Sequence, residues 1–124
     1  MIPINITQNK LFSELKNLGV DIEGTISRFV DDDEIYTKFL ARFPDEDRIT
    51  PVREAAEAGD SDALMRTAHK LKGVSANLGM NALSQKAEKI VSKLRSGATS
   101  GFEADIEEAA QEYELICKTI LENR

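Results

Sequence analysis

The sequence predicts an all-α protein: an antiparallel four-helix bundle with additional short N-terminal helices. Three observations carry this. Apolar residues recur at three- and four-residue spacing along most of the 124-residue chain. Glycine, proline and short polar clusters interrupt these segments, leaving connections of a few residues that set sequential helices antiparallel. No stretch alternates apolar and polar residues over a strand length between hairpin turns. The length suits a single domain, 1–124, with residues 1–19 as an N-terminal helical extension.

A first helix is expected over about 7–18, stopped by Gly19, and a second over about 22–30 after Asp21. The acids of "DDDE" at 31–34 suit the positive end of a helix dipole and cap "EIYTKFLARF", whose apolar stripe reads as Ile35, Phe39, Leu40 and Phe43. They lack the alternating spacing and the glycine of a calcium loop. Pro44 interrupts, and "TP" at 50–51 offers an N-cap threonine and an N1 proline for "VREAAEA". Gly59 ends that helix and Asp60 caps the next, about 61–78, which runs to Gly79. A helix over about 81–95 places Leu83, Ala87, Ile90, Val91 and Leu94 on one face. "SGATSG" at 96–101 is a turn, and "SGFE" at 100–103 has the pattern of a capping box. The last helix, about 102–122, carries a long apolar stripe from Phe102 to Ile120.

Composition excludes several function classes. No apolar run approaches the roughly 20 residues of a membrane span, and "MIPINITQNK" does not read as a signal peptide. A cytoplasmic location with no membrane association is expected, so the glycosylation pattern at Asn5–Thr7 carries little weight. One cysteine, Cys117, and one histidine, His69, are too few for a zinc site. Cys117 reads as a packing residue of the last helix. The net charge of −6 argues against nucleic acid as a partner. The charge is unevenly spread, however: residues 66–95 hold seven basic residues against one acid, Glu88, while the rest of the chain holds nine against 21.

His69 lies inside that basic segment, in "TAHKLKGVSANLG" at 67–79. At 100° per residue, Leu64, Leu71, Val74 and Leu78 fall about 140–220° away from it and form the core stripe. Lys72, Gly73 and Ala76 share the histidine's side, and Met65 and Arg66 continue it one turn earlier. The imidazole therefore points away from the core. Gly73 stands in mid-helix, where glycine costs about 0.8–1 kcal/mol relative to alanine. Its place one turn from His69 clears room for something large to approach. An imidazole nitrogen is a nucleophile near neutral pH, and a lysine one turn away offsets the charge of a phosphoryl group. Hydrolase constellations are missing: there is no Ser–His–Asp set, and Ser75, about 120° round the helix, suits a helix-backbone hydrogen bond instead.

"AHKLKGVSANLG" at 68–79 resembles the signature of histidine-containing phosphotransfer domains. His69, Leu71, Lys72, Gly73, Ser75, Leu78 and Gly79 fall on matching positions, and similarity extends over about 20–120. The resemblance implies a phosphorelay intermediate in two-component signalling. His69 would accept a phosphoryl group from a receiver-domain aspartyl phosphate and pass it to another receiver aspartate. Lys72 would contact the phosphoryl oxygens and Gly73 would permit close docking. The domain itself would bind no cofactor or metal and would be a carrier and not an enzyme, with Mg²⁺ and most catalytic groups in the partner receiver. Partners would be response-regulator receivers, including that of a hybrid sensor kinase, met as a monomer. The wheel adds a docking face of Met65, Arg66, Lys70, Ala76 and Asn77, joined by Gln85, Lys86 and Lys89 of the next helix. Two other readings compete: a helical adaptor that binds receivers without phosphotransfer, and a fragment of a dimeric histidine kinase, for which no nucleotide motif is present.

Overall fold

The computed structural model describes residues 6–29 and 32–124, with side chains from Lys10 onward. Among the described residues seven α-helices follow in order: α1 (Ile6–Asn17), α2 (Ile22–Arg28), α3 (Asp33–Arg42), α4 (Thr50–Glu57), α5 (Ser61–Asn77), α6 (Asn81–Arg95) and α7 (Glu103–Asn123). A 3-10 turn, Phe43–Asp45, follows α3. Among the described residues there is no strand. Asp31 and the Asn5–Thr7 pattern lie outside the described side chains.

α5 packs between α4 and α6, α6 against α7, and α7 in turn against α4 and α1. A ladder of ion pairs fixes the relative direction of α6 and α7. Lys86 meets Glu112, Lys89 meets Glu108 and Lys93 meets Asp105, so residue numbers rise on one helix as they fall on the other.

Two apolar clusters fill the bundle. One, under α4, joins Val52, Leu64, Ala68, Ile90 and Ile106. The other joins α1–α3 to the second half of α5 and includes Leu15, Tyr36, Leu40, Leu71, Leu83 and Ile116. Each fully buried aliphatic side chain here is worth about 1.5–3 kcal/mol relative to exposure. Ala68 belongs to the first cluster and Leu71 to the second, so residue 69 sits where the two meet, on the opposite side of the helix.

The C-terminal carbonyls of α5 are satisfied by the N-terminal elements. Arg28 Nη2 donates to Ala76 O (3.0 Å), the Tyr36 hydroxyl to Leu78 O (2.8 Å) and Asp21 N to Gly79 O (2.9 Å). Gly79 has φ +79°, and a Cβ there would collide with the Thr25 side chain and the Asp21 backbone. Both the turn and the seat of α2 therefore require glycine.

Three local expectations are corrected. The core stripe of α3 is Tyr36, Leu40 and Phe43, while Ile35 (43%) and Phe39 (51%) are exposed. Tyr36 wins the inner position because it is the residue whose hydroxyl reaches Leu78 O. Thr50 is the first residue of α4 and not its cap; Ile49 holds the cap position with no side-chain bond, and Asp47 ahead of it accepts from Ile49 N (3.1 Å), Thr50 N (3.0 Å) and the Thr50 hydroxyl (2.5 Å). The box at 100–103 does not form: α7 begins at Glu103, and Phe102, buried in the core, sits in the cap position with no side-chain bond. The inner face of α5 also includes Ala68 and Ser75, while Val74 packs half-buried against the second cluster. Cys117 is half-buried against the second cluster, and burial pushes its thiol up.

Candidate functional site

α5 starts cleanly because Asp60 Oδ1 accepts from Ala63 N (3.0 Å), and it runs unbroken through Asn77. His69 is exposed at its middle, and its ring has no hydrogen-bond or ion-pair partner among the described residues. Gly73, one turn on, is exposed, and a Cβ built there meets no heavy atom within 4 Å. The space over Gly73, on the His69 side of α5, is open.

Lys72 shares that side but is not free. Its ammonium forms an ion pair with Glu88 of α6 at 2.5 Å. The Glu88 Oε2 that meets it is shut off from solvent. Oε1 accepts from the Ser92 hydroxyl (2.8 Å). The Lys72 ammonium, and then this hydroxyl, hold the Glu88 carboxyl below its ordinary value. The Lys72 carbonyl accepts the hydroxyls of Ser84 (3.1 Å) and Ser75 (3.2 Å). Ser75 also donates to Leu71 O (2.5 Å) and is fully buried, so it serves the helix backbone as expected.

The remaining predicted residues divide. Met65 and Ala76 are half-buried on the His69 side, and Arg66, exposed, has no ion-pair partner among the described residues. Lys70 is exposed and turned to Glu46 (3.1 Å), whose carboxyl it holds low. Asn77, two turns from His69, lines a cleft of about 530 Å³ against Arg28, Phe29, Phe39 and Arg42. Gln85 is exposed.

Lys86 and Lys89, expected on the docking face, each have an acid of α7 beside them. Lys86 pairs with Glu112 (3.5 Å) and Lys89 with Glu108 (3.2 Å). Lys93 is likewise held by Asp105. Five of the seven basic residues of 66–95 thus have an acidic partner: Lys70, Lys72, Lys86, Lys89 and Lys93. The sequence reading missed Glu88 as a functional neighbour, although it was visible as the single acid of that segment. Among the described residues no three His, Cys, Asp or Glu side chains are grouped to hold a metal ion, and no helix is long and apolar enough to cross a membrane.

The family model for the Hpt domain matches residues 34–119, from the first turn of α3 into the last turns of α7, and so contains His69, Lys72 and Gly73. The chain belongs to the Hpt domain family. Hpt domains serve histidine phosphotransfer in phosphorelays with response-regulator receivers, as phosphoryl carriers. The exposed, unpartnered histidine described above is the only one in the chain. No curated protein and no solved structure matches the chain. α1 and α2 lie ahead of the Hpt match, yet α2 and the residue before it supply two of the three groups that cap the end of α5.

Proposed function

We propose that this Hpt domain is a phosphorelay intermediate whose carrier is His69. The imidazole Nε2 lone pair attacks the phosphorus of a receiver aspartyl phosphate. The P–Nε2 bond forms as the P–O bond to the aspartate breaks, and the carboxylate leaves with its electron pair. Reversal against a second receiver passes the group on. The observation that carries this reading is an exposed imidazole, without a partner among the described residues, on α5 with open space over Gly73. Lys72 contacts the phosphoryl oxygens, and its ammonium offsets part of the roughly −2 charge they bring.

The receiver supplies Mg²⁺, which neutralises phosphoryl charge, and the acceptor aspartate. This chain supplies the nucleophile and the surface of Met65, Arg66, Gly73 and Ala76 around it. Met65 and Ala76 make its apolar centre. The domain acts as a monomer in the cytoplasm.

The test is transfer from a phosphorylated receiver in the presence of Mg²⁺. Acid-labile, base-stable label is expected on the wild type and none on His69→Gln. Label surviving that substitution would refute His69 as the carrier. Binding of receivers with no label on the wild type would support a helical adaptor in its place.

A further inference from the structure

We infer that Glu88 is a positioning residue that holds the Lys72 ammonium off His69 until a phosphoryl group draws it away. This deepens the carrier reading and rests on it. Lys72 is gripped by α6 at two points: its carbonyl by the Ser84 hydroxyl and its ammonium by Glu88. The grip on the ammonium is itself built, because Ser92 orients the carboxylate through its other oxygen. The pair holds the Glu88 carboxyl below its ordinary value.

Loading His69 changes the competition. A phosphoryl group brings about −1.5 to −2 charge and three acceptor oxygens against the single charge of one carboxylate. The ammonium has three donors and can turn toward the stronger acceptor. Leaving Glu88 costs part of that gain. Glu88 therefore makes phospho-His69 less stable than a free lysine would, and so easier to hand on. A carrier that must both accept and release benefits from this setting. The effect has the scale of one exposed ion pair, about 1.4- to fivefold in an equilibrium constant.

The experiment uses protein loaded at His69 chemically, with phosphoramidate, so that it does not depend on any receiver. The ³¹P titration midpoint of the phosphoryl group is measured in the wild type, Glu88→Gln, Lys72→Gln and the double variant. Glu107→Gln, which removes the remote Arg53–Glu107 pair, serves as control. Glu88→Gln is expected to lower the midpoint by about 1.4- to fivefold in acid constant, and to do so less when Lys72 is also replaced. Circular dichroism checks that each variant is folded. An unchanged or raised midpoint overturns the inference. An equal shift in both backgrounds also overturns it, since Glu88 would then act through its own field and not through Lys72. With a receiver added, Glu88→Gln should move phosphoryl group toward His69 by a similar factor. Loaded protein that gives nothing to any receiver would instead refute the carrier reading, and the titration would still decide the role of Glu88.

Discussion

Gly73 offers a separation of folding from function. It lies in the interior of α5, four residues from the helix end, and a Cβ added to it would have no heavy atom within 4 Å. Alanine there meets no clash and gains helix propensity, about 0.8–1 kcal/mol. For a chain of 124 residues that is a rise in Tm of roughly 3–6 °C. Gly73→Ala should therefore melt higher than wild type by circular dichroism at neutral pH. Gly73→Gln places a long side chain over the open surface beside His69. It should keep most of the propensity gain, yet slow transfer from a phosphorylated receiver by at least about tenfold, the cost of roughly 1.4 kcal/mol of lost docking. The pair of variants thus moves stability up and transfer down. If Gly73→Ala were less stable than wild type, the reading of open space would be wrong. If Gly73→Gln were stable and transferred at the wild-type rate, the glycine would have no docking role.

Three further outcomes are expected. Tyr36→Phe removes the donor to Leu78 O in a fully buried position, and should cost about 1–3 kcal/mol in a urea titration without altering the phosphorylation of His69. Gly79→Ala forces a residue with a Cβ to φ +79° and into Thr25 and the Asp21 backbone; it should destabilise the fold by more than about 1 kcal/mol, read in the same titration. Asp47 is held below its ordinary value of 3.8, chiefly by the Thr50 hydroxyl and amide. A carboxylate lowered on folding stabilises the native state fully above its unfolded value and loses that contribution as the pH falls through the folded one. Asp47→Ala should cost about 0.5–1.5 kcal/mol at pH 7, and the difference from wild type should shrink in melts below about pH 4.

The order of helices was legible because each boundary has a local chemical cause. Asp60 before α5 and Gly79 after it act through the nearest backbone, and the apolar period fixes which side of α5 turns inward. That same period placed His69 outward. The errors fall where two local signals compete and a distant group decides. Thr50 enters the helix and does not cap it, and Asp47, three residues earlier, takes its amide and hydroxyl. Ile35 and Tyr36 are both apolar enough for the core of α3. The tyrosine goes in because a carbonyl at the end of α5, 42 residues away, needs its hydroxyl.

Charge was the least legible property, and the reason is geometric. A helix has room for two polar sides flanking one apolar stripe, and the sequence does not say which neighbour each side meets. On α6, Ser84 and Glu88 meet Lys72, while Lys86, Lys89 and Lys93 meet the acids of α7. Counting charge along the chain joined lysines that the fold separates. What is left beside His69 is one arginine, Arg66, unpaired among the described residues, and two lysines already engaged, Lys70 by Glu46 and Lys72 by Glu88. Long-range attraction then contributes less to meeting a receiver than the linear count suggests, since paired charges cancel beyond a few ångströms. The discriminating power moves to short range: the open surface over Gly73 and the exchange of Lys72 between Glu88 and a phosphoryl group.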